Sequence, residues 1–323
     1  MIDVQEALLA SKRHIQEVLS APVPGLNEMT SYLAQSTGKG IRALLLLTAA
    51  QDSEGKVPEE VIRAAAAIEL LHMATLVHDD VIDNAATRRG MPALHQKFDT
   101  KSAVICGDYL LSQSMLLFAT METQRLDSTE DRAALIARVS RGLSAVCRGE
   151  YKQHINVGNL DIDFVTYLKV ISGKTAALFS LAAYLGAVLG GESAKAAQNL
   201  GRFGRFLGMA FQIADDCRDY EWTQAQAQKP VGNDIKGGVI TLPLIFAMQK
   251  NPDLRPVARE IMRSQTDPGD FIQSIRVSGG AAAAWEVADR YLAKAARAVR
   301  DIPPRKQDAM LAFLHMVKVG VSP

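Results

Sequence analysis

The feature that most constrains this 323-residue chain is a succession of long apolar segments at helical spacing. The segment VIRAAAAIELLHMATLVHDDVID holds neither glycine nor proline, and four more segments repeat apolar residues every three or four positions. The five segments are residues 61–83, 107–124, 132–158, 164–190 and 196–222. No alternating run of β-branched residues bounded by turns predicts a strand. The sequence therefore predicts an all-α fold, a single-domain bundle over residues 1–323 of ten or more helices around one core.

The charge and composition of the chain bear on whether it binds nucleic acid or spans a membrane. The 36 basic residues balance the 35 acidic ones to a net charge of +1, so we expect no nucleic-acid partner. An uncharged stretch at 175–191 is at the short limit of a membrane span, but a fully buried helix has the same composition. Its glycines, Ser180 and Tyr184 favour a bundle helix. The amphipathic N-terminus has no apolar signal region, so we expect a cytoplasmic protein without a transmembrane segment.

The acidic pattern Asp-Asp-x-x-Asp follows two of the apolar helical runs. It occurs as Asp79, Asp80 and Asp83 and again as Asp215, Asp216 and Asp219. Carboxylates one turn apart on a helix repel, at a cost of roughly 0.2–0.5 kcal/mol per pair. One such triplet is most simply a solvated helix end, whereas two copies in the same context predict a shared site. Oxygen ligands suit Mg²⁺, which proteins usually hold with one or two carboxylates plus substrate phosphates.

Basic residues occur in the loops near both triplets. They are Lys39 and Arg42, Arg88 and Arg89, and Lys229 and Lys236. Because arginine binds phosphate bidentately and lysine acts as a point charge, the pattern predicts a phosphate-bearing ligand. Two nucleotide motifs are excluded: ISGKT at 171–175 has Leu168 where a P-loop needs glycine, and GRFGRFLG at 201–208 predicts close helix packing.

Together these residues resemble the long-chain branch of the trans-type polyprenyl diphosphate synthases. LVHDDVIDNAATRRG (76–90) and FQIADDCRDY (211–220) look like the two aspartate-rich motifs of that family. GKGIR, ELLH, GEYKQ, SGKTAAL and KPVGNDIKGGVITLP resemble its other signatures, in the expected order. The match extends over residues 38–243.

The resemblance implies a fold, a reaction and an assembly. The fold would be the isoprenoid synthase bundle with a deep central cavity, and the assembly a homodimer. The reaction would be a Mg²⁺-dependent, head-to-tail condensation of isopentenyl diphosphate onto an allylic diphosphate such as farnesyl diphosphate.

The resemblance also implies a role for each matching residue. Asp79, Asp83 and Asp215 would bind three Mg²⁺ ions directly, with Asp80, Asp216 and Asp219 in support. Arg88, Lys174 and Lys229 would hold the allylic diphosphate, and Lys39, Arg42, His72 and Arg89 the isopentenyl diphosphate. Thr175 and Gln212 would line the region of the developing carbocation. The catalytic set would be Asp79, Asp80, Asp83, Arg88, Lys174, Asp215, Asp216 and Lys229.

Three positions depart from the family pattern. Gly40 stands where a basic residue is usual, Ala43 replaces a proline, and Val239 replaces a diphosphate-binding lysine. Lys236, one turn before Val239, could take over that contact. None of these changes removes a predicted metal ligand.

Residue size before the first triplet bears on product length. Thr75 and Ala74 lie about one helical turn before Asp79, and bulky aromatics there would close a product tunnel early. Small residues predict an open tunnel and a product longer than geranylgeranyl, of heptaprenyl or octaprenyl type. We expect its floor deeper, near Met115 or Phe118. The alternative is that Ala74 only packs closely against a neighbouring helix.

Three other functions compete with an active long-chain synthase. A short-chain geranylgeranyl or farnesyl synthase would contradict the tunnel argument. A non-catalytic subunit of a heteromeric synthase is opposed by the intact triplets but agrees with Gly40 and Val239. A terpene cyclase usually keeps only one such triplet, so the second triplet opposes it.

Overall fold

The computed structural model describes residues 1–35, 38–121, 123, 125, 128–221, 232–264, 266 and 268–320. Its helices are α1 (Val4–Leu19), α2 (Pro24–Ala34), α3 (Ile41–Ala50), α4 (Val61–Ile82), α5 (Leu94–Lys97), α6 (Thr100–Ala119), α7 (Thr129–His154), α8 (Phe164–Lys174), α9 (Ala176–Leu189), α10 (Ala194–Glu221), α11 (Asn233–Lys236), α12 (Leu242–Lys250), α13 (Leu254–Ser264), α14 (Gly269–Val277), α15 (Gly280–Ala298) and α16 (Pro304–Val319). The strands are β1 (Ile2–Asp3), β2 (Lys56–Val57), β3 (Thr87–Arg88) and β4 (Met91–Pro92). Over these residues the predicted all-α class is confirmed.

Two long helices, α4 and α10, carry the aspartate triplets at their C-terminal ends. Helix α4 packs against α1, α3 and α6, and α10 packs against α9 and α15. The first part of α4 is apolar on every side, from Ala64 to Ile68, because it runs through the core. Its last turn leaves the core, so Asp79 is only partly covered and Asp83 is exposed.

Glycines set the contact between α9 and α10, as their spacing predicts. A Cβ added to Gly204 would lie 2.3 Å from the carbonyl oxygen of Phe179, and one added to Gly208 would lie 2.6 Å from the Cα of Ala176. A side chain at either position would force the helices apart. This close approach brings the start of α9 against the segment of α10 that leads to the second triplet.

A second glycine crossing joins α7 and α8. A Cβ on Gly149 would lie 2.2 Å from the amide nitrogen of Lys174, and one on Gly173 would lie 2.6 Å from the carbonyl oxygen of Ala145. The crossing therefore places Glu150 beside Lys174. Helix α8 ends there, and α9 continues at an angle of 45° beyond Thr175.

A hairpin follows α4. Strands β3 and β4 pair antiparallel, with Arg88 opposite Met91, and the two turn residues Arg89 and Gly90 both have positive φ, 52° and 77°. Positive φ at both central positions is typical of a tight two-residue hairpin turn, which suits glycine at the second position. The turn lets consecutive arginines reach different neighbours.

Two described helices, α4 and α6, are long and apolar enough to cross a membrane by length and composition alone. The bent pair formed by α8 and α9, which includes the uncharged stretch, would make a third. In α4, 67% of the apolar window is buried within the protein, whereas in α6 only 33% is buried. Packing in the core therefore explains why α4 is long and apolar, whereas α6 has an apolar face at the protein surface.

Candidate active site

The middle aspartate of the first triplet is paired with an arginine from the hairpin. Asp80 is buried, and the Nε of Arg88 donates to its two carboxylate oxygens at 2.9 and 3.1 Å. The Nη2 of Arg88 donates to the same carboxylate. Because a buried carboxylate needs a partner, this fork compensates Asp80 and fixes the hairpin against the end of α4.

Asp79 faces the crossing of α7 and α8. Burial raises the pKa of Asp79 to about 7, although the nearby Lys174 lowers it and Glu150 raises it. The Nζ of Lys174 donates to Oε1 of Glu150 at 2.9 Å, and Oε2 of Glu150 is buried with no hydrogen-bond partner among the described residues. Burial of Lys174 lowers its pKa, but Asp79 and Glu150 raise it overall. One lysine thus lies among three carboxylates, since Asp83 also acts on it.

The middle aspartate of the second triplet is held by neutral groups. Asp216 is buried, and it accepts hydrogen bonds from the hydroxyl of Tyr167 at 2.5 Å and from Nε2 of Gln212 at 2.8 Å. Burial raises the pKa of Asp216 to about 7, these two hydrogen bonds lower it, and Asp215 raises it. Gln212 in turn accepts from the hydroxyl of Thr175 at 2.6 Å. The chain from Thr175 to Asp216 orients the buried carboxylate.

Both triplets contribute to one acidic cleft of about 200 Å³. Its charged lining residues are Asp83, Lys174, Asp215, Asp216, Asp219 and Asp234. Thr175, Gln212 and Ile171 also line it. The structure therefore brings the two triplets to one site, as the repeated motif predicts.

A second group of charged side chains, which includes Arg88, surrounds His72. The pKa of Arg42 is lowered to about 10 by burial, and Glu69 raises it while Arg89 lowers it. Burial lowers the pKa of His72 well below its usual value, and Arg42, Arg89 and Arg88 lower it further. Three cations around one neutral imidazole form a concentrated positive field, which an anionic ligand would relieve.

Local contacts position this basic group. Oε1 of Glu69 accepts the backbone N–H groups of Arg42 and Ala43, at 3.0 and 2.9 Å, and so caps the start of α3. The guanidinium of Arg42 lies 4.8 Å from the ring centre of Phe179. Gly38 lies against the guanidinium of Arg89, where a Cβ would come within 2.6 Å of Nη2. Lys39 is exposed on the same loop.

An open apolar cavity of about 600 Å³ lies between α4, α6 and α7. Ala74 and Thr75 line it, together with Asp79 at the acidic end. Met115 and Phe118, the expected floor, do not line it, because Phe118 is buried in the main core and Met115 packs against the same cluster. On α6 the cavity is lined by Val104, Asp108 and Leu111, and Leu111 lies one turn before Met115.

Several site residues escaped sequence reasoning. Glu150 sits within GEYKQ, and Asp234 lies in the short helix α11 within KPVGNDIKGGVITLP, so both lay in quoted motifs without an assigned role. Tyr167 carried no signal, because only the fold brings it to Asp216. Val239 lines the cleft in place of the expected lysine, whereas Lys236 is not among the described lining residues. Lys229 lies outside the residues that the structure describes.

The donor set fits a hard divalent cation. Both triplets lie at helix C-termini, where the backbone carbonyls add partial negative charge, and two of the carboxyl groups have raised pKa values. In the described part of the chain, no three His, Cys, Asp or Glu side chains converge to hold a metal ion alone.

The family profile described as Polyprenyl synthetase matches residues 23–276. That range contains both triplets, the hairpin and the acidic cleft. The chain belongs to the polyprenyl synthetase family. As a member, it is a prenyltransferase.

Named relatives place this polyprenyl synthetase in the long-chain branch. It is 32% identical over 307 residues to heptaprenyl diphosphate synthase component 2 of Bacillus subtilis, covering 94% of this chain and 84% of the relative. It superposes on heptaprenyl diphosphate synthase from Staphylococcus aureus with a TM-score of 0.88, at 28% identity and with 100% and 99% of the two chains covered. Polyprenyl synthase from Caulobacter crescentus, solved with calcium and isoprenyl diphosphate, gives a TM-score of 0.87 at 28% identity, covering 99% and 96%.

Proposed function

We propose that this prenyltransferase is an active Mg²⁺-dependent synthase that condenses isopentenyl diphosphate head-to-tail onto an allylic diphosphate to make a long all-trans polyprenyl diphosphate. The observation that carries the proposal is that Asp79 links three regions. It lines the apolar cavity and interacts electrostatically with Lys174 of the acidic cleft and with Arg88, which in turn acts on His72 of the basic group. A metal-bound diphosphate, a second diphosphate and a growing hydrocarbon each have a matching environment.

Charge stabilisation at the acidic cleft would drive ionisation of the allylic substrate. Asp79, Asp83 and Asp215 would hold Mg²⁺, with Asp80, Asp216 and Asp219 in support. When bound, the metal ions act as Lewis acids that stabilise the negative charge of the departing diphosphate. Lys174 would contact the same diphosphate, because its ammonium already lies between Asp79 and Glu150. Lys229 is proposed for this role on the motif alone.

The basic group would hold the second substrate. Arg42, His72 and Arg89, with Lys39 on the neighbouring loop, would bind the diphosphate of isopentenyl diphosphate. The hairpin supports separate roles for its two arginines, because Arg88 is hydrogen-bonded to Asp80 while Arg89 lies close enough to Arg42 to lower its pKa. Arg88 would contact the allylic diphosphate while it stays paired with Asp80.

Carbon–carbon bond formation needs orientation and a dry site rather than a protein base. Thr175 and Gln212, which are hydrogen-bonded to each other, would present oxygen dipoles to the developing allylic cation. The double bond of isopentenyl diphosphate attacks that cation, and the proton then lost passes to the departed diphosphate. Apolar lining beside the cleft excludes water that would quench the cation.

Product length would be set by the apolar cavity. We expect Ala74→Phe to shorten the product, because its ring would enter the cavity one turn below Asp79. Leu76→Phe is the matched control, since Leu76 lies on the same turn of α4 but does not line the cavity. Chromatography of the dephosphorylated products measures length. Equal products from wild type and Ala74→Phe would mean that Ala74 only packs against its neighbours.

The decisive assay uses the purified chain alone with Mg²⁺, farnesyl diphosphate and labelled isopentenyl diphosphate. We expect label in products longer than geranylgeranyl, and chelation of the metal should abolish incorporation. Absence of incorporation by the chain alone would overturn the proposal. Products that stop at geranylgeranyl would leave a short-chain synthase as the function.

A homodimer in the cytoplasm forms part of the proposal. Helix α6 exposes the apolar side chains Val104, Ile105 and Leu116, and Val104 also lines the cavity. A second copy on this face would cover them and close one side of the cavity. Analytical ultracentrifugation tests this assembly, and a monomer at micromolar concentration would contradict it.

A second candidate is a subunit of a heteromeric synthase. It is favoured by the name of the Bacillus subtilis relative, a component 2, and by Val239 in the cleft. In this case the chain alone would be inactive while its metal and diphosphate binding persists. Calorimetry with Mg²⁺ and farnesyl diphosphate, run beside the turnover assay, separates the two functions.

A further inference from the structure

A basic groove of about 550 Å³ lies on the side of α8 that faces away from the acidic cleft. Tyr167, Val170, Ile171 and Lys174 line the cleft, whereas Val165, Leu168, Lys169 and Ser172 line the groove. The two concavities are thus separated by the thickness of one helix. The proposed catalytic function uses no residue of this groove.

The charge of the groove has one sign. Arg148 and Lys152 of α7, Lys169 of α8, Arg205 of α10 and Lys294 of α15 line it, and no Asp or Glu does. Since the whole chain carries only +1, this is a local segregation of charge. Among the described residues, none of the five forms a salt bridge. Arg148 and Lys152, four residues apart on one helix, repel each other.

Carboxylates near the groove do not cancel this charge. Asp163 interacts with Lys169, but it is fully exposed and caps α8 by accepting the backbone N–H of Thr166 at 2.6 Å. Asp289 of α15 is paired with Lys318. The groove therefore keeps an excess of positive charge that an anionic partner would neutralise.

The groove also has an apolar component. Phe206 and Tyr291 form a ring pair at 6.2 Å, and the ammonium of Lys294 lies 4.8 Å from the ring centre of Tyr291. Val165, which also lines the groove, is 52% exposed. Cationic side chains interleaved with exposed apolar ones are typical of a surface that binds at a lipid headgroup interface.

We propose that this groove docks the protein on an anionic lipid bilayer, with lipid phosphates held by Arg148, Lys152, Lys169, Arg205 and Lys294. Charge complementarity favours phosphate groups, and the exposed Val165 together with the ring pair of Phe206 and Tyr291 favours a lipid surface over a free phosphate in solution. Docking itself is independent of the proposed chemistry. If that function holds, docking also brings a water-insoluble product close to the membrane that receives it.

The test is sedimentation of the full chain with lipid vesicles, without metal or substrate. Vesicles contain phosphatidylcholine with or without phosphatidylglycerol, and the variant is Arg148→Gln/Lys169→Gln/Lys294→Gln, which changes only exposed side chains. Each basic residue near an anionic surface contributes about fivefold to binding, so the triple variant should bind roughly 100-fold more weakly. Arg63→Gln/Lys101→Gln/Arg259→Gln, at exposed positions outside the groove, is the control and should bind like wild type.

Three results would overturn the proposal. They are absence of wild-type binding to phosphatidylglycerol vesicles, wild-type binding by the groove variant, and equal losses in the groove and control variants. Calorimetry with inorganic diphosphate supplies the other arm. If diphosphate binds at the groove and vesicles do not, the ligand is a soluble phosphate compound and the membrane assignment is wrong. Prenyl transfer by the groove variant should stay at the wild-type level, so failure here is distinct from failure of the catalytic proposal.

Discussion

The two aspartate triplets share a sequence pattern but differ in how the protein holds them. In the first, the buried Asp80 is compensated by the charged fork of Arg88. In the second, the buried Asp216 is held by the neutral groups of Tyr167 and Gln212, and its pKa is raised to about 7. The buried carboxylate of the first triplet is therefore compensated by an ion pair, whereas that of the second accepts hydrogen bonds from neutral side chains.

The largest expected effect tests whether both ends hold the metal. Asp79→Ala and Asp215→Ala should each lower kcat/KM by on the order of 10²–10³, because each removes a charge that fixes Mg²⁺ against the diphosphate. Steady-state kinetics with saturating metal measures the loss. Asp52→Ala, on an exposed turn, is the control. A wild-type rate in either cleft variant would show that its triplet has no direct part in the reaction.

A smaller effect on stability compares the charged partner of Asp80 with a neutral partner of Asp216. Arg88→Ala should lower the free energy of unfolding by about 2 kcal/mol, because Asp80 stays buried without its partner while Arg88 itself is partly exposed. Tyr167→Phe should cost about 1 kcal/mol, the usual net value of one hydrogen bond. Urea unfolding at pH 8 without metal compares the two variants. If Tyr167→Phe costs more than Arg88→Ala, the contrast drawn between the triplets is wrong.

A third expected effect is a pH dependence of the stability of the metal-free protein. Burial raises the pKa values of Asp79 and Asp216 from 3.8 to about 7, so the folded state binds more protons than the unfolded state between these values. Stability contributed by these groups should therefore fall as pH rises from about 4 to 7.

Denaturant titrations across this pH range measure the slope. Tyr167→Phe removes a hydrogen bond that favours ionised Asp216 and so raises the pKa of Asp216. In this variant the decline in stability should therefore continue to a higher pH, by less than about one pH unit. The double variant Asp79→Asn/Asp216→Asn should flatten the slope. A slope that persists in the double variant would assign it to other groups.

The fold class could be predicted from the sequence because the pattern that predicts a helix lies within one continuous segment of the chain. Segment 61–83 has the length, apolar content and freedom from glycine and proline that predict a helix, and α4 occupies nearly all of it. The glycines of 201–208 also predicted close packing, since their only plausible use within a helix is a close approach of backbones. Boundaries were harder: α6 begins at Thr100, seven residues before the apolar segment, because Asp99 caps it there.

Product-cavity residues were predicted in part. Ala74 and Thr75 line the cavity because their position follows from helical pitch within α4 itself. Met115 and Phe118 belong to α6, and which face of α6 meets the cavity depends on how that helix rotates against α4 and α7. Spacing within one helix cannot give this rotation, so Leu111 was missed.

By itself, the sequence determined the helical fold class, the two acidic triplets and the family, since each depends on local pattern. Only the tertiary structure decided that Asp80 pairs with Arg88, that Tyr167 and Gln212 hold Asp216, and that Glu150 lies beside Lys174. These partners lie 4 to 49 residues apart, and helix crossings at glycines bring the more distant ones together. The sequence specifies where each carboxyl group lies along the chain, but the pKa and the partner of that group depend on what the fold places around it.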